Sequence, residues 1–202
     1  MPATGEQTLL AALRAALAPS GLNLLGVAAL RDYDALVPAT HRLGVRAAHT
    51  AVVIGNGGGA FWEAYRRHVA RHPEFATRPH PLDDFTTAIM EERALAVAAR
   101  FGVAAELRLP FRATDPPLSF VHLAEAAGLG RRSILGVLVH PEFGPWLALR
   151  GALLIDAPIT APRPADGFDP CPTCVERPCI IACPAGAVCT TLTSNSSPDA
   201  EP

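Results

Sequence analysis

Apolar residues recur along the chain at two spacings, which predict helices and strands in alternation. Residues 6–18 place leucine and alanine three or four positions apart, as on one face of a helix, and Pro19 ends the run. Further helices are predicted over 61–71, from Asp83 or Asp84 to about residue 101, and from the turn at 114–117 to Gly128 or Gly130. Short apolar runs predict buried strands over 22–29, 50–54, 103–109, 134–139 and 146–155. The pattern therefore indicates an α/β domain in which helices flank a mixed sheet.

The composition changes after Asp156 and divides the chain into four parts. Residues 1–157 form the predicted α/β domain, and the repeated prolines of residues 158–170 predict a semi-rigid linker. Residues 171–188 make up a segment rich in cysteine. Residues 189–202 are small, polar and proline-containing, which predicts a disordered tail.

Charge and composition exclude several classes of function. The formal net charge is −2 and half of the residues are hydrophobic, so we expect a sizeable core and regard nucleic acid as an unlikely partner. All 17 basic residues are arginines, and without lysine neither Schiff-base chemistry nor a Walker-type phosphate loop is available. Polar residues interrupt the apolar stretch 8–30, which predicts no membrane span and a cytoplasmic protein whose thiols stay reduced.

The five cysteines all lie after residue 170, at Cys171, Cys174, Cys179, Cys183 and Cys189. The first four have the spacing C-x2-C-x4-C-x3-C-P, and closely spaced thiolates suit an iron–sulfur cluster or zinc. The Cys-Pro ending is typical of bacterial ferredoxins and predicts a 4Fe-4S cluster on those four cysteines. Three alternatives stay open: Cys189 in place of Cys183, a structural zinc site, and a dithiol redox pair at Cys171 and Cys174.

Three motifs occur in a characteristic order: residues 125–130, residues 140–146 with the sequence HPEFGPW, and the cysteine run. In this order they resemble the epoxyqueuosine reductases, a family of cobalamin-dependent iron–sulfur reductases of tRNA modification. Residues 136–151 are also similar to the cblC-type vitamin B12 processing proteins. The resemblance implies a cobalamin-reductase-like domain, with a corrinoid on the sheet, a cluster nearby that reduces it, and an electron donor such as ferredoxin or flavodoxin.

The resemblance also implies roles for individual residues. Asp115 matches the proton-donating aspartate of the reductases, and burial would have to raise its pKa for that role. The alternative is a helix cap or turn aspartate. Arg150 matches the arginine that cblC-type proteins use near their thiol cosubstrate, with a paired strand arginine as the alternative. His140 and Trp146 are expected to contact the corrinoid, although His140 could equally be a simple loop histidine.

Two other patterns have both a functional and a structural interpretation. Residues 55–60 match the dinucleotide pattern G-x-G-x-x-G/A, but Glu74 stands where an acidic strand end would be needed, so a flexible turn near a ligand is favoured. His68 and His72 are four apart on a predicted helix, a spacing that suits either a metal site or a solvated helix end.

The sequence thus predicts an iron–sulfur oxidoreductase of the epoxyqueuosine reductase-like type, in which the cluster passes electrons to a corrinoid or substrate in a pocket of the α/β domain. The alternatives are a non-catalytic 4Fe-4S electron carrier, a cobalamin-processing chaperone with vestigial cysteines, and a zinc-stabilised binding module. The expected partners are a small-molecule cofactor and an electron donor.

Overall fold

The computed structural model describes residues 5–44, 49–162 and 167–188. The predicted tail at 189–202, with Cys189, lies outside the described residues, and the predicted linker lies only partly inside them.

A four-stranded sheet forms the centre of the domain. Its strands are β1 (Leu24–Ala29), β2 (Thr50–Gly57), β3 (Ala105–Arg108) and β6 (Leu147–Ile155), in the order β1-β2-β6-β3. Every neighbouring pair in this sheet is antiparallel. Two short strands, β4 (Arg131–Arg132) and β5 (Leu138–Val139), form a separate antiparallel pair.

Helices cover both faces of this sheet. Within the described residues the α-helices are α1 (Gly5–Leu17), α2 (Leu30–Leu36), α3 (Ala60–Arg71), α4 (Pro81–Ile89), α5 (Ala96–Arg100), α6 (Phe120–Ala126) and α7 (Pro178–Ile181). A π-helical segment, Met90–Leu95, joins α4 to α5, and 3-10 turns occupy Ala18–Ser20, Ala39–His41 and Pro73–Thr77. No helix in this part of the chain has both the length and the apolar character needed to cross a bilayer.

The sheet separates two hydrophobic cores. Along β2, Val52 and Ile54 pack beneath α1, α3 and α4, whereas Ala51 and Val53 face α2 and α6. All eight residues of β2 are buried, because the strand is central and helices cover both of its faces. A strand that is buried on both faces needs apolar residues at successive positions, and residues 51–54 provide such a run.

The predicted α/β class, with helices flanking a sheet, is confirmed. The strands nevertheless run antiparallel rather than in mixed directions, because strand direction follows from long-range pairing and not from burial pattern. Residues 134–137, expected to be strand, form a turn that closes the β4–β5 pair. Helix α4 begins at Pro81, so Asp83 and Asp84 lie in its first turn and neither is the predicted N-cap. Their carboxylates still interact favourably with the partial positive charge at the helix N-terminus.

Candidate functional site

A β-bulge places Arg150 on the face of the sheet that α3 covers. In the register between β2 and β6, Leu149 and Gly151 have partners on β2 and Arg150 between them has none. Leu149 and Leu153 are four residues apart and would share a face of a regular strand. Leu149 instead packs in the core beneath α6 and Leu153 in the opposite core, because the extra residue reverses the alternation of β6. Bulges of this kind commonly redirect a side chain next to a functional site.

The Arg150 side chain is held between a polar and an aromatic partner. Its Nε donates to Asn56 Oδ1 at 2.8 Å, and its guanidinium carbon lies 4.2 Å from the centre of the Phe61 ring. Burial lowers the pKa of Arg150, and the charge of Asp83 partly opposes that shift. No ion-pair partner lies within 4.0 Å of Arg150 among the described residues. Arg150 is therefore a partly desolvated cation, not the carboxylate-paired strand arginine that was the alternative.

The glycine-rich turn between β2 and α3 is fixed by its surroundings. Asn23 makes two hydrogen bonds with Gly57: its Oδ1 accepts from Gly57 N at 2.9 Å, and its Nδ2 donates to Gly57 O at 3.0 Å. A Cβ on Gly57 would lie 2.3 Å from the Phe143 ring. Glu74 lies in the 3-10 turn Pro73–Thr77 and not at a strand end. Gly57 thus allows close packing of Phe143, and the dinucleotide interpretation lacks its acidic residue.

His140 organises the loop that contains the HPEFGPW motif. Its Nδ1 accepts from the backbone N–H groups of Glu142 at 3.0 Å and Phe143 at 3.3 Å, and its backbone pairs with Gly144. Because two N–H groups donate to Nδ1, the ring proton of the neutral form is on Nε2. Burial lowers the pKa of His140, with Glu142 acting in the opposite direction. The geometry is that of a loop-fixing histidine.

Trp146 and Asp115 are both exposed, in different loops. Trp146 follows the His140 loop with 83% of its surface accessible. Asp115 lies in the turn before α6, where Thr114 Oγ1 accepts from Leu118 N at 3.1 Å and donates to Pro116 O at 2.9 Å. The described side chains do not bury Asp115, so the protein alone does not supply the apolar surroundings that a proton-donating aspartate was expected to need.

The cysteine segment folds as a series of tight turns. The N–H of Cys174 donates to the carbonyl of Cys171 at 3.2 Å, and α7 places Cys179 in its only turn. Backbone N–H groups of Val188 and Ala187, followed by those of Ala185 and Gly186, lower the pKa of the Cys183 thiol. Amides that converge on one sulfur favour the thiolate, which is the form that binds metals.

A cavity of about 520 Å³ lies between this segment and the α/β domain. Cys171, Cys174 and Cys179 line one side, together with Arg177. The opposite side is formed by α6 and the β4–β5 pair, through Glu125, Arg131, Arg132, Ser133, Ile134 and Val139. This volume is typical of a site for a small molecule or for part of a larger one.

A charged network borders the cavity on the domain side. The side chain of Glu125 is 9% exposed, and its carboxylate lies 3.6 Å from Arg132 Nε and 3.8 Å from Arg131 Nη1. Arg132 also donates to His122 Nε2, so His122 must carry its proton on Nδ1, toward the Ser119 hydroxyl at 2.7 Å. Burial, and then the charge of Arg132, lower the pKa of His122. The network orients Arg132 at the cavity wall.

The cysteines match an iron–sulfur cluster in donor chemistry. All four described thiols are free and lie in one short segment, and backbone amides lower the pKa of the Cys183 thiol. Across residues 5–44, 49–162 and 167–188, however, no three histidine, cysteine or acidic side chains lie close enough together to hold a metal ion. Cluster binding therefore requires the thiols to move toward one another, and His68 with His72 finds no third ligand in the same ranges.

The structure brings only some of the predicted site residues together. Cys171, Cys174 and Cys179 share a cavity, whereas His140, Trp146 and Arg150 do not line it. Sequence reasoning missed Glu125 and the arginine pair after Gly130 as cavity-lining residues. The sequence did contain a signal for these residues. Glu125 lies in an otherwise apolar predicted helix end, and Arg131 and Arg132 follow closely, although charged residues are rarely buried unless they are paired.

Comparisons with known proteins find similarity to epoxyqueuosine reductases and to CblC. No family model matches the chain. The epoxyqueuosine reductase of Listeria monocytogenes is 31% identical over 105 residues, which are 52% of this chain and 26% of that protein. The resemblance to epoxyqueuosine reductases predicted from the motifs is thereby confirmed, over a part of those enzymes.

Two solved structures share the fold. The B12-trafficking protein CblC of C. elegans has a TM-score of 0.58 at 14% identity, covering 77% of this chain and 72% of that chain. An epoxyqueuosine reductase with an epoxyqueuosine-modified tRNA-Tyr stem loop has a TM-score of 0.62 at 14% identity, covering 92% of this chain and 54% of that chain. The chain thus spans about half the length of that reductase and about a quarter of the Listeria enzyme.

Proposed function

We propose that this chain is an iron–sulfur oxidoreductase of the epoxyqueuosine reductase-like type, with its cluster on Cys171, Cys174, Cys179 and Cys183. The observation that carries the proposal is the cavity that three of these cysteines share with the α/β domain. A cluster on this segment would face the space in which an electron acceptor can bind. The motif order and the similarity to epoxyqueuosine reductase support the same assignment.

Each part of the cysteine segment has a distinct role in this proposal. Cys171, Cys174 and Cys179 provide thiolates from the cavity side, and Cys183, whose pKa is lowered by backbone amides, provides the fourth. When bound, a 4Fe-4S cluster supplies single electrons. Asp169 fixes the start of the segment, since its Oδ1 accepts from the Cys171 N–H at 3.3 Å.

The acceptor, a corrinoid or a substrate, is proposed to bind in the cavity. Arg131 and Arg132 line it with guanidinium donors, and the buried carboxylate of Glu125 keeps both arginines in place. Asp115 is the proposed proton donor; it lies in an exposed turn outside the cavity lining, so a bound acceptor would have to extend to it.

The test is anaerobic reconstitution of the full chain with iron and sulfide, with iron, sulfide, zinc and cobalt quantified on one sample. We expect about four irons and four sulfides per chain, as a 4Fe-4S cluster requires. The reconstituted protein should also show the broad visible absorption that arises from charge transfer between sulfur and iron. Cys171→Ser, Cys174→Ser, Cys179→Ser and Cys183→Ser should each lower the iron content, and Cys189→Ser should not. Stoichiometric zinc without sulfide, or a loss confined to Cys189→Ser, would contradict the proposed ligand set.

A second candidate function, corrinoid processing, is favoured by a separate observation. The fold matches CblC over most of both chains, and Arg150 is a partly buried cation without an ion-pair partner among the described residues. In this alternative His140, Trp146 and Arg150 are the proposed corrinoid-side residues, and the cysteines play no part. Corrinoid binding followed by absorbance should then weaken in Arg150→Ala and stay unchanged in Cys171→Ser. Unchanged corrinoid binding in Arg150→Ala together with weaker binding in Cys171→Ser would instead support the iron–sulfur proposal.

A further inference from the structure

A small cavity lies on the opposite side of the sheet from the cysteine segment. It has a volume of about 170 Å³ and is bordered by α3, the 3-10 turn Ala18–Ser20, α4 and the π-helical segment Met90–Leu95. Its floor is apolar, with Ala64, Phe85 and Ile89. Because one water occupies about 30 Å³ in the liquid, the cavity has room for a group of roughly five non-hydrogen atoms.

The rim of this cavity carries an excess of positive charge. Arg67 and Arg71 from α3 and Arg93 from the π segment line it, and Glu92 is its single acidic residue. Neither Arg67 nor Arg71 has an ion-pair partner within residues 49–162, although the nearby Arg66 and Arg78 are paired with Glu63 and Asp84. With neutral histidine the lining charge is +2, and nothing in the described part of the chain neutralises it.

Two further features single out this cavity. His68 lines it, and the Nε2 of His68 is buried without a hydrogen-bond partner in the described residues. The π segment widens the helix at the place where Glu92 and Arg93 reach the cavity, and Arg93 Nη1 is directed to the carbonyl of Ala16 at 3.2 Å. Short π segments inside α-helices are frequent at functional sites. Unpaired guanidinium groups around a small cavity are the arrangement that binds a tetrahedral oxyanion.

We propose that this cavity binds a single phosphate group carried by a small molecule. A phosphate group at neutral pH has a charge of about −1.5 to −2, which balances the lining charge. Arginine donors match its oxygens in bidentate geometry. The volume of about 170 Å³ has room for one such group. This site is independent of the cysteine segment and of the proposed redox function.

Phosphate binding to the full chain tests the proposal. Isothermal titration with inorganic phosphate, and separately with ribose 5-phosphate, is performed against sodium chloride of equal ionic strength, because exposed charges respond to salt. The double variant Arg67→Gln and Arg71→Gln should weaken binding about tenfold or more, since each charge-assisted hydrogen bond contributes on the order of a decade in Kd. Glu92→Gln should strengthen it. Arg100→Gln, an exposed arginine outside the cavity, is the matched control and should change nothing.

Three results would overturn the proposal. The first is the absence of any heat or thermal stabilisation with either phosphate beyond that seen with chloride. The second is equal weakening in the Arg100→Gln control. The third is binding of a short RNA oligonucleotide that is weakened by every arginine variant while inorganic phosphate has no effect, which would identify a general polyanion surface. Circular dichroism of each variant distinguishes lost binding from lost folding.

Discussion

At the scale of single residues, the polar groups that matter most hold backbone in place. His140 accepts two backbone N–H bonds inside its own loop, and Asn23 joins the start of β1 to Gly57 at the end of β2. Tyr33, fully buried, donates to the carbonyl of His41 and accepts from the N–H of Ser119. Each of these side chains hydrogen-bonds to main-chain groups at the ends of helices and strands or in the loops between them.

Replacing His140 with alanine is expected to destabilise the protein by about 1–3 kcal/mol, because the N–H groups of Glu142 and Phe143 lose their acceptor. Urea unfolding measures the change. His80→Ala is the control, since that side chain is exposed, and it should stay within about 0.5 kcal/mol. Equal stability of the two variants would show that the His140 hydrogen bonds do not stabilise the loop.

Three partly buried histidines make the stability of the protein depend on pH. Burial is the main cause that lowers the pKa of His68, His122 and His140 from the ordinary value of 6.5. The native state therefore binds fewer protons than the unfolded state, and these groups contribute stability fully above pH 6.5. That contribution is lost as the pH falls through the lowered folded values. Unfolding midpoints should decrease between about pH 7 and pH 5, and the decrease should be smaller in His140→Ala.

At the scale of elements, two local irregularities position the site. The bulge at Arg150 turns a cation toward α3, and the glycine-rich turn lets Phe143 pack directly on the end of β2. The predicted helices at 6–18 and 61–71 are confirmed within about a residue, because their periodicity is local. The bulge was not predicted, since an inserted residue leaves the apolar run of β6 unchanged.

Gly57→Ala should destabilise the protein by about 1–3 kcal/mol, because the new methyl group overlaps the Phe143 ring. The matched control is Gly59→Ala, where a Cβ meets nothing within 4 Å and the backbone is already helical. The control should be neutral or slightly stabilising. Thermal unfolding compares the two, and equal destabilisation would mean that backbone freedom rather than packing selects glycine here.

At the scale of the whole molecule, the proposed site is a cavity between two parts of the chain. The α/β domain supplies a charged wall with Glu125 and Arg132, and the cysteine segment supplies the thiols opposite. Because binding requires the thiols to converge, a metal centre would couple the folding of the segment to the closure of this cavity.

Hydrogen exchange should detect that coupling. On anaerobic reconstitution with iron and sulfide, amides of residues 171–188 are expected to become more protected, because bound metal stabilises only the state that holds it. Amides of β2, buried in the sheet, should exchange at the same rate with and without metal. Cys171→Ser is the control that should abolish the gain. Iron uptake without added protection in the segment would contradict the coupling.

The sequence alone determined the α/β class, the limits of the helices at 6–18 and 61–71 and the concentration of all thiols in one segment. These follow from local spacing and residue chemistry, which tertiary contacts do not alter. Tertiary structure decided the antiparallel order of the strands, the bulge that redirects Arg150, the separation of Arg150 from the cysteines, and the pairing of Glu125 with Arg131 and Arg132. Those features join residues far apart in the chain, and their geometry depends on how the sheet and helices pack rather than on any single stretch of sequence.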